Sequence, residues 1–187
     1  DKYNFKTTSN TDCEVILHLY DYLFSKERSN NDIIHKLCNE LDGEFSFVLY
    51  DKNINSIFIA RDPYGVRPLF IGNSVNNDYV FSSELKGLHK LTESAEQFEP
   101  GTYMIIDNTL FGNEFDIIHK PYHKIINDHK MINEKYNLYD ETDEVILKGL
   151  NNVFREAVYK RMMSDKEICS LLSGGLDSSI TSALAKK

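Results

Sequence analysis

The chain has 187 residues, of which 41% are hydrophobic and 27% charged, a composition typical of a folded globular protein rather than a disordered one. Its formal net charge is −8 and its 21 basic residues are scattered, which argues against the concentrated basic face that nucleic-acid binding requires. No apolar run reaches the ~20 residues that span a bilayer, and residues 1–5 show no apolar core of a secretory signal. We therefore expect a cytoplasmic protein without nucleic-acid or membrane partners, long enough for one domain and part of another.

Two helices are predicted at the start of the chain. The first covers residues 11–24, where Thr11 and Glu14 are expected to form a capping box that satisfies free N–H groups at the helix start. Its apolar positions recur at helical spacing: Val15, Ile16, Leu19 and Leu23. Asp32 is expected to cap the second helix, and that helix has a buried stripe of Ile33, Leu37 and Leu41.

From Glu44 onward the apolar period changes to two, which is typical of strands. Residues 44–50 and 56–60 predict a hairpin joined by a turn at 51–55. Further short strands are predicted over residues 69–72, 79–82 and 102–107, with a short helix over residues 83–91. Strands in hairpin succession beside helices indicate a layered α+β domain.

The stretch 113–141 lacks periodicity and is rich in Asn, His and Lys. Within it we assign residues 125–141 to an interdomain linker, which separates a first domain over 1–124 from a second that starts at residue 142. In the second domain, Thr142 opens a long amphipathic helix. A buried strand over residues 168–172 and a helix from residue 178 then give the order expected at the start of a parallel α/β sheet.

The segment Ser-Gly-Gly-Leu-Asp-Ser-Ser at 173–179 joins the predicted strand to the last helix. Gly174 and Gly175 permit positive φ and close approach of the backbone to an anion. Successive N–H groups and the start of the following helix favour negative charge there. The hydroxyls of Ser173, Ser178 and Ser179 can donate to phosphate oxygens.

A carboxylate within the same loop points to a cation. Asp177 would repel phosphate unless a cation lay between them, so we expect it to bind Mg²⁺. The Gly-Lys-Ser/Thr element of a Walker loop is absent. A plain Gly-rich turn is the alternative, and the seven consecutive positions after an apolar strand favour the site.

The three cysteines, Cys13, Cys38 and Cys169, show no Cys-x-x-Cys spacing, which favours reduced thiols over disulfides or zinc ligands. Cys38 and Cys169 lie in apolar patterns and are expected in the core, and Cys13 is expected to have an apolar packing role. The six histidines show no i,i+4 pair on a predicted helix, which argues against a histidine metal site.

Several segments resemble known families. The loop at 173–179 matches the motif of the ATP pyrophosphatase family. Five other segments are similar to the glutaminase domain of class II glutamine amidotransferases: residues 11–17, 41–47, 61–70, 82–86 and 100–103. Together with Arg-Met-Met-Ser-Asp at 161–165, they resemble the glutamine-hydrolysing asparagine synthetase family over nearly the whole chain.

This resemblance implies a fold and a two-site reaction. The first domain would have the αββα layers of N-terminal nucleophile hydrolases, and the second would begin an α/β parallel-sheet ATP pyrophosphatase domain. The first site would hydrolyse glutamine with an N-terminal cysteine. At the second site, ATP and Mg²⁺ would convert aspartate to β-aspartyl-AMP, which ammonia then converts to asparagine. The implied protein is a carbon–nitrogen ligase with glutamine, aspartate and ATP as small-molecule partners, and a homodimer is a candidate assembly.

The resemblance also implies roles for individual residues. Asp12 would hold the α-amino group of glutamine, although a carboxylate in the first turn of a helix also gains from the helix dipole. Leu171 and Leu172 would lie beside the adenine, and the whole stretch Ser173, Gly174, Gly175, Leu176, Asp177, Ser178 and Ser179 would bind the pyrophosphate and metal. Structural roles are expected for Arg61, Asp62, Tyr64, Arg67 and Glu84.

Some features depart from the family pattern. Residue 1 is Asp rather than the nucleophilic cysteine, whose free α-amino group serves as the base. The Arg-Gly-Pro and Asn-Gly-Glu segments that bind glutamine and form the oxyanion hole are also missing. We interpret the sequence as a fragment cut at both ends, with no catalytic residue of its own, and expect the 187 residues alone to be inactive.

Two other functions remain open at this point. The β-lactam synthetase type has the same two-domain plan but has lost the cysteine, and it uses ATP for intramolecular ring closure. Asp12 and the segment at 161–165 favour amidation of aspartate instead. The other alternative is a degenerate, non-catalytic copy that only binds ATP, which would bind ATP and Mg²⁺ without releasing pyrophosphate.

Overall fold

The computed structural model describes residues 3–9, 11–108, 115–124, 142–164 and 166–186. The chain divides into two compact units, residues 1–128 and 129–187. The predicted linker at 125–141 lies outside the described residues, and the predicted domain boundaries stay a prediction. Within the described ranges, no helix is long and apolar enough to cross a membrane.

The first unit contains two helices, seven strands and one 3-10 turn among its described residues. The helices are α1 (Glu14–Phe24) and α2 (Asn30–Glu40). The strands are β1 (Ser46–Asp51), β2 (Ser56–Arg61), β3 (Phe70–Asn73), β4 (Tyr79–Ser82), β5 (Ser94–Gln97), β6 (Thr102–Asn108) and β7 (Phe115–Pro121). The 3-10 turn is Leu85–Gly87.

These strands form two antiparallel sheets. The larger has the order β1-β2-β6-β7 and the smaller the order β4-β3-β5. In the larger sheet Phe58 lies opposite Ile105, and Ile105 lies opposite Ile118. Each strand therefore keeps its apolar positions in register across the sheet.

Strand β2 is buried on both faces because its side chains alternate between two cores. Phe58 and Ala60 pack in the cluster that contains the apolar stripes of α1 and α2. Ile59 points the other way and packs with Ile71 of β3 and Met104 of β6. The described order is helices, sheet, sheet, which confirms the predicted layered α+β class.

The start of each helix differs from the prediction. Cys13 is the N-cap of α1 and makes no side-chain cap, so the Thr11–Glu14 capping box is wrong. Glu14 is the first helical residue, whereas a capping box requires the Glu at the third helical position, two residues later. In α2 the N-cap is Ser29, whose hydroxyl accepts from the N–H of Asp32 at 3.1 Å, so Asp32 is not itself the cap.

Three predicted features of the first unit need correction. The helix over residues 83–91 is wrong, because only a 3-10 turn at Leu85–Gly87 forms there. Strand β5 was not predicted, since its four residues are all exposed and lack alternation. Strand β7 lies inside the stretch 113–141, for which the sequence predicts no helix or strand. Its pairing with β6 defines it as a strand.

The second unit has two described helices, α3 (Asp143–Lys160) and α4 (Leu176–Ala185). Thr142 is the N-cap of α3, as predicted. Residues 168–172 form no strand, in contrast to the prediction. A strand is defined by ladder hydrogen bonds to a neighbour, and no other described residue of this unit is in a strand. The parallel sheet therefore stays a prediction.

Candidate functional site

The backbone of the loop at 173–179 turns sharply before α4. Gly174 has φ +85°, and a Cβ added there would meet nothing within 4 Å. Gly175 is the N-cap of α4, in an extended conformation and without a side-chain cap. The helix thus starts two residues before the predicted residue 178, and its first-turn amides have no intrahelical partner. Those amides are available to an anion.

The serine hydroxyls of the loop bind each other and the loop backbone. The hydroxyls of Ser173 and Ser178 form a hydrogen bond with each other, with 2.9 Å between their Oγ atoms. Ser178 and Ser179 donate to the carbonyl of Gly175 at 3.1 and 2.7 Å. The backbone amides are therefore the donors best placed for phosphate, and these two hydroxyls would have to rotate to take part.

The predicted nucleotide residues lie at the surface of their unit. Leu171, Leu172 and Leu176 are 94%, 66% and 74% exposed, and Asp177 is exposed as well. The structure thus brings the loop residues together at the start of α4 and leaves the leucines accessible.

The carboxylate of Asp177 fits a magnesium ion that is held mainly by the phosphates of a bound substrate. No group of three His, Cys, Asp or Glu side chains lies together anywhere in the described part of the chain, so the protein offers no cage of its own there. Mg²⁺ is commonly bound by one or two carboxylates together with substrate phosphates. A single carboxylate in the first turn of α4 is consistent with that arrangement.

Asp12, the predicted glutamine ligand, lies just before α1. It precedes the N-cap Cys13, so its predicted place in the first turn of the helix is wrong. Its carbonyl accepts from the N–H of Val15 at 3.4 Å, and its Oδ1 lies 3.6 Å from Sγ of Cys13. The side chain is exposed and is open to a ligand.

Glu14 has a place in this region that sequence reasoning missed. Its carboxylate reaches back to Thr8 and Ser9 and accepts from both residues. These hydrogen bonds, first that of the Ser9 hydroxyl and then those of Thr8, hold the pKa of the Glu14 carboxyl well below its ordinary value. The nearness of Thr8 and Ser9 to Glu14 in the sequence is the signal for this role, in place of the predicted capping box with Thr11.

Two protein-family models match parts of the chain. "Glutamine amidotransferase domain" matches residues 1–90, and "Asparagine synthase" matches residues 149–187. The two matched ranges carry Asp12 and the loop at 173–179.

Curated relatives match along the whole chain. The probable glutamine-hydrolysing asparagine synthetase of Dictyostelium discoideum is 37% identical over 186 residues, which cover 100% of this chain and 29% of the relative. The glutamine-hydrolysing asparagine synthetase of Homo sapiens is 36% identical over 194 residues, 99% of this chain and 33% of the relative. The chain is similar to these glutamine-hydrolysing asparagine synthetases along its whole length. It spans about a third of the length of these relatives.

A solved structure supports the fold. Glutamine phosphoribosylpyrophosphate amidotransferase from B. subtilis, complexed with ADP and GMP, has a TM-score of 0.53 and 24% identity, covering 65% of this chain and 25% of that chain. At this identity the likeness concerns the fold alone. It confirms the predicted layered fold.

The segment at 61–67 has a structural role, as predicted. Arg61 is buried and donates to the carbonyls of Gly65, Arg67 and Phe98 at 2.7–2.8 Å. Buried Asp62 accepts from three backbone N–H groups at 3.0–3.1 Å: those of Tyr64, Val66 and Arg67. These two side chains together fix the turn after β2.

Glu84 and Tyr64 were also expected to be structural. Glu84 is the N-cap of the 3-10 turn Leu85–Gly87 without a side-chain cap, and its carboxylate pairs with Lys86. Tyr64 is 67% exposed, so its backbone rather than its ring serves the turn. Surface pairs of the Glu84–Lys86 kind contribute little to stability.

The cysteines differ in burial. All three are free; Cys38 is buried, and Cys13 and Cys169 are exposed. Burial raises the pKa of the Cys38 thiol, which keeps it protonated and inert. The core position of Cys169 and the packing role of Cys13 are thus wrong, because no described neighbour covers residues 168–172 and Cys13 lies at the open start of α1.

Proposed function

We propose that the protein is a glutamine-dependent asparagine synthetase, a carbon–nitrogen ligase that converts aspartate to asparagine with ATP. The observation that carries this proposal is the loop at 173–179. Gly174 turns at positive φ and Gly175 opens α4 without a side-chain cap, which leaves first-turn amides for an anion. The same chain matches a glutamine amidotransferase domain, which supports glutamine as the nitrogen donor.

The synthetase reaction is chemically consistent with this loop. A carboxylate is a poor acyl donor, and transfer of AMP from ATP to the β-carboxylate of aspartate releases pyrophosphate and creates a good leaving group. We assign the pyrophosphate to the amides and hydroxyls of Ser173 to Ser179, and the adenine to the backbone beside Leu171 and Leu172. When bound, Mg²⁺ would neutralise phosphate charge, and Asp177 is the residue that would hold it. Ammonia then displaces AMP and gives asparagine.

The glutaminase half is assigned to the first unit. We propose that Asp12 binds the α-ammonium group of glutamine, since its carboxylate is exposed and close charge-assisted contacts of this kind are strong. Hydrolysis would supply glutamate and ammonia. Because none of the three cysteines is residue 1, we expect the 187 residues alone to hydrolyse no glutamine.

The proposed reaction also suggests a location, partners and an assembly for the protein. We propose a cytoplasmic location, small-molecule partners only, and a homodimer as the candidate assembly. The net charge of −8 supports the absence of a nucleic-acid partner.

The test compares two serines on α4 together with Asp177. In the protein at its natural length we would measure binding of ATP and Mg²⁺ by calorimetry and pyrophosphate release with aspartate. Asp177→Asn and Ser179→Ala are expected to weaken nucleotide binding about tenfold, since each loses a charge-assisted contact. Ser182→Ala removes the same hydroxyl three residues later, from a contact with Ser170 at 2.6 Å, and is expected to bind ATP normally.

Three results would contradict the proposal. Equal nucleotide affinity in Asp177→Asn and the parent protein would remove the loop from the nucleotide site. Binding of ATP and Mg²⁺ without aspartate-dependent pyrophosphate release would favour a non-catalytic copy. Pyrophosphate release with a substrate other than aspartate would favour a different ligase.

A further inference from the structure

The carboxylate of Glu14 accepts four hydrogen bonds from one short stretch of chain. Its Oε1 accepts from the N–H and the Oγ1 of Thr8, both at 2.8 Å. Its Oε2 accepts from the N–H of Ser9 at 2.8 Å and from the Ser9 hydroxyl. Four hydrogen bonds thus join the first residue of α1 to a segment five and six residues earlier.

These bonds close a small loop around Asp12. Thr11 donates its N–H to Oγ of Ser9 at 3.4 Å, and Cys13 donates its N–H to Oγ1 of Thr11 at 3.4 Å. The carbonyl of Asp12 is held by the N–H of Val15. Asp12 is therefore anchored from the helix side by α1 and from the other side by Glu14 through Thr8 and Ser9.

The two carboxylates of this loop differ in what they contact. Glu14 is turned inward to the loop and also lies 3.1 Å from Nε2 of His18. Asp12 is exposed, and Sγ of Cys13 is the contact described for it, at 3.6 Å. One carboxylate thus holds the loop together while the other is presented to solvent.

A helix-start role does not account for this geometry. A carboxylate at the first helical position gains from the dipole wherever it points in the first turn. Both oxygens of Glu14 instead accept from the segment before the helix, through two backbone N–H groups and two hydroxyls, and only Oε1 also contacts His18 of α1. Charge-assisted hydrogen bonds of this kind are roughly twice as strong as neutral ones, so they define the loop conformation.

We propose that Glu14 is a positioning residue for the glutamine site, which fixes the loop so that the Asp12 carboxylate meets the α-ammonium group of glutamine. This inference rests on the proposed function, in which Asp12 binds that group. Residues that orient a ligand-binding side chain matter because a misplaced carboxylate loses its contact without any loss of fold. Glu14 itself does not touch the substrate.

The test uses Glu14→Gln in the protein at its natural length. We expect the glutamine KM of the glutaminase reaction to rise about tenfold, as for loss of an orienting partner, with kcat within about twofold. Inhibition by 4-carbamoylbutanoate, which is glutamine without its α-amino group, should change less than about twofold, because Asp12 has no contact with it. If Glu14 had a purely structural role, the substitution would weaken the binding of glutamine and of 4-carbamoylbutanoate equally.

Two further variants complete the design. Glu27→Gln removes a carboxylate that binds Lys36 at 2.7 Å and should leave the glutamine KM unchanged. In an Asp12→Asn background, Glu14→Gln should raise KM by less than about twofold, because both changes act through one contact. Additive effects of the two substitutions, or an equal loss of glutamine and 4-carbamoylbutanoate binding, would overturn the proposal.

The controls separate this inference from the function beneath it. Ammonia-dependent asparagine synthesis should be unchanged in Glu14→Gln, which shows that the synthetase site of the variant is intact. If that variant does not fold, Thr8→Val removes one of the four hydrogen bonds and should give the same selective effect at smaller size; equal weakening of both compounds there would overturn the proposal. Failure of the parent protein to hydrolyse glutamine would instead count against the proposed function.

Discussion

The Tyr122 hydroxyl donates a hydrogen bond of 2.8 Å to the carbonyl of Arg61, 61 residues earlier in the chain. Both residues are buried, and burial raises the pKa of the Tyr122 phenol, so the phenol stays a donor at every ordinary pH. The contact ties the end of β7 to the end of β2, where Arg61 and Asp62 hold the turn at 61–67.

Tyr122→Phe tests this contact. The change leaves a buried carbonyl without its described donor and is expected to lower the free energy of unfolding by about 1–3 kcal/mol. Chemical denaturation measures it. Tyr50→Phe is the matched control, because its hydroxyl binds Asn55 at 2.9 Å on the surface and should cost less than about 0.5 kcal/mol. Equal effects of the two substitutions would contradict the burial argument.

Asp62→Asn tests the turn after β2. Asp62 accepts three backbone N–H groups with its two oxygens, and an amide offers only one oxygen, so an NH₂ group would face one N–H group. We expect a loss of about 1–3 kcal/mol of unfolding free energy. Asp78→Asn, at an exposed turn where Ser74 donates at 3.2 Å, should change stability by less than about 0.5 kcal/mol. An Asp62→Asn protein as stable as the parent would contradict this account.

The two loop glycines are expected to respond differently to alanine. Gly174→Ala places a side chain at φ +85° and should cost about 1 kcal/mol of unfolding free energy. At Gly175, φ is −75°, and an added Cβ would meet only Ser173 Oγ at 3.6 Å, so the fold should tolerate alanine. Gly175→Ala should nevertheless weaken ATP binding, since a methyl group there hinders close approach of a phosphate. Normal ATP affinity in Gly175→Ala would argue against that approach.

Thiol labelling of the native protein should distinguish the three cysteines. Cys13 and Cys169 are exposed and Cys38 is buried, and the raised pKa of Cys38 keeps it as the unreactive thiol. Mass spectrometry after iodoacetamide treatment is expected to find label at the first two residues only, and at Cys38 after denaturation. Rapid native labelling of Cys38 would contradict its place in the core.

The stabilisation by Glu14 should depend on pH. Its folded pKa lies below its ordinary value, so the contribution is present above the unfolded pKa of about 4.3 and is lost as pH falls through the folded value. The stability difference between the parent and Glu14→Gln should therefore be larger at pH 7 than at pH 3. Denaturation curves at both pH values measure it, and a difference that does not shrink on acidification would contradict the hydrogen-bond geometry.

Much of the first unit follows from periodicity. Alternation between Phe58 and Ile59 marks a strand buried on two faces, and β2 and β4 were found nearly at their true bounds. The sequence does not predict strand β5, because its four residues are exposed and no apolar pattern indicates its pairing with β3. Helix starts were misplaced because several Ser, Thr and Asp residues compete for the cap, and only geometry selects Ser29.

The candidate site was predictable to a lesser degree. The loop at 173–179 carries its chemistry in residue types at fixed spacing, and Gly174 does adopt positive φ. The strand predicted over residues 168–172 would need a neighbouring strand to pair with, and a local sequence pattern does not show whether one is present. The role of Glu14 depends on two hydrogen-bond partners upstream, whose direction a sequence does not state. Asp12 is predicted from the family resemblance, and its binding role stays a prediction.

The most direct test of the account is the fate of ATP in the protein at its natural length, incubated with aspartate, glutamine and Mg²⁺. Products would be resolved by mass spectrometry with amide-¹⁵N glutamine. The account predicts AMP, pyrophosphate, glutamate and ¹⁵N-labelled asparagine in equal amounts. Formation of ADP and phosphate, or cleavage of ATP to AMP without labelled asparagine, would contradict it.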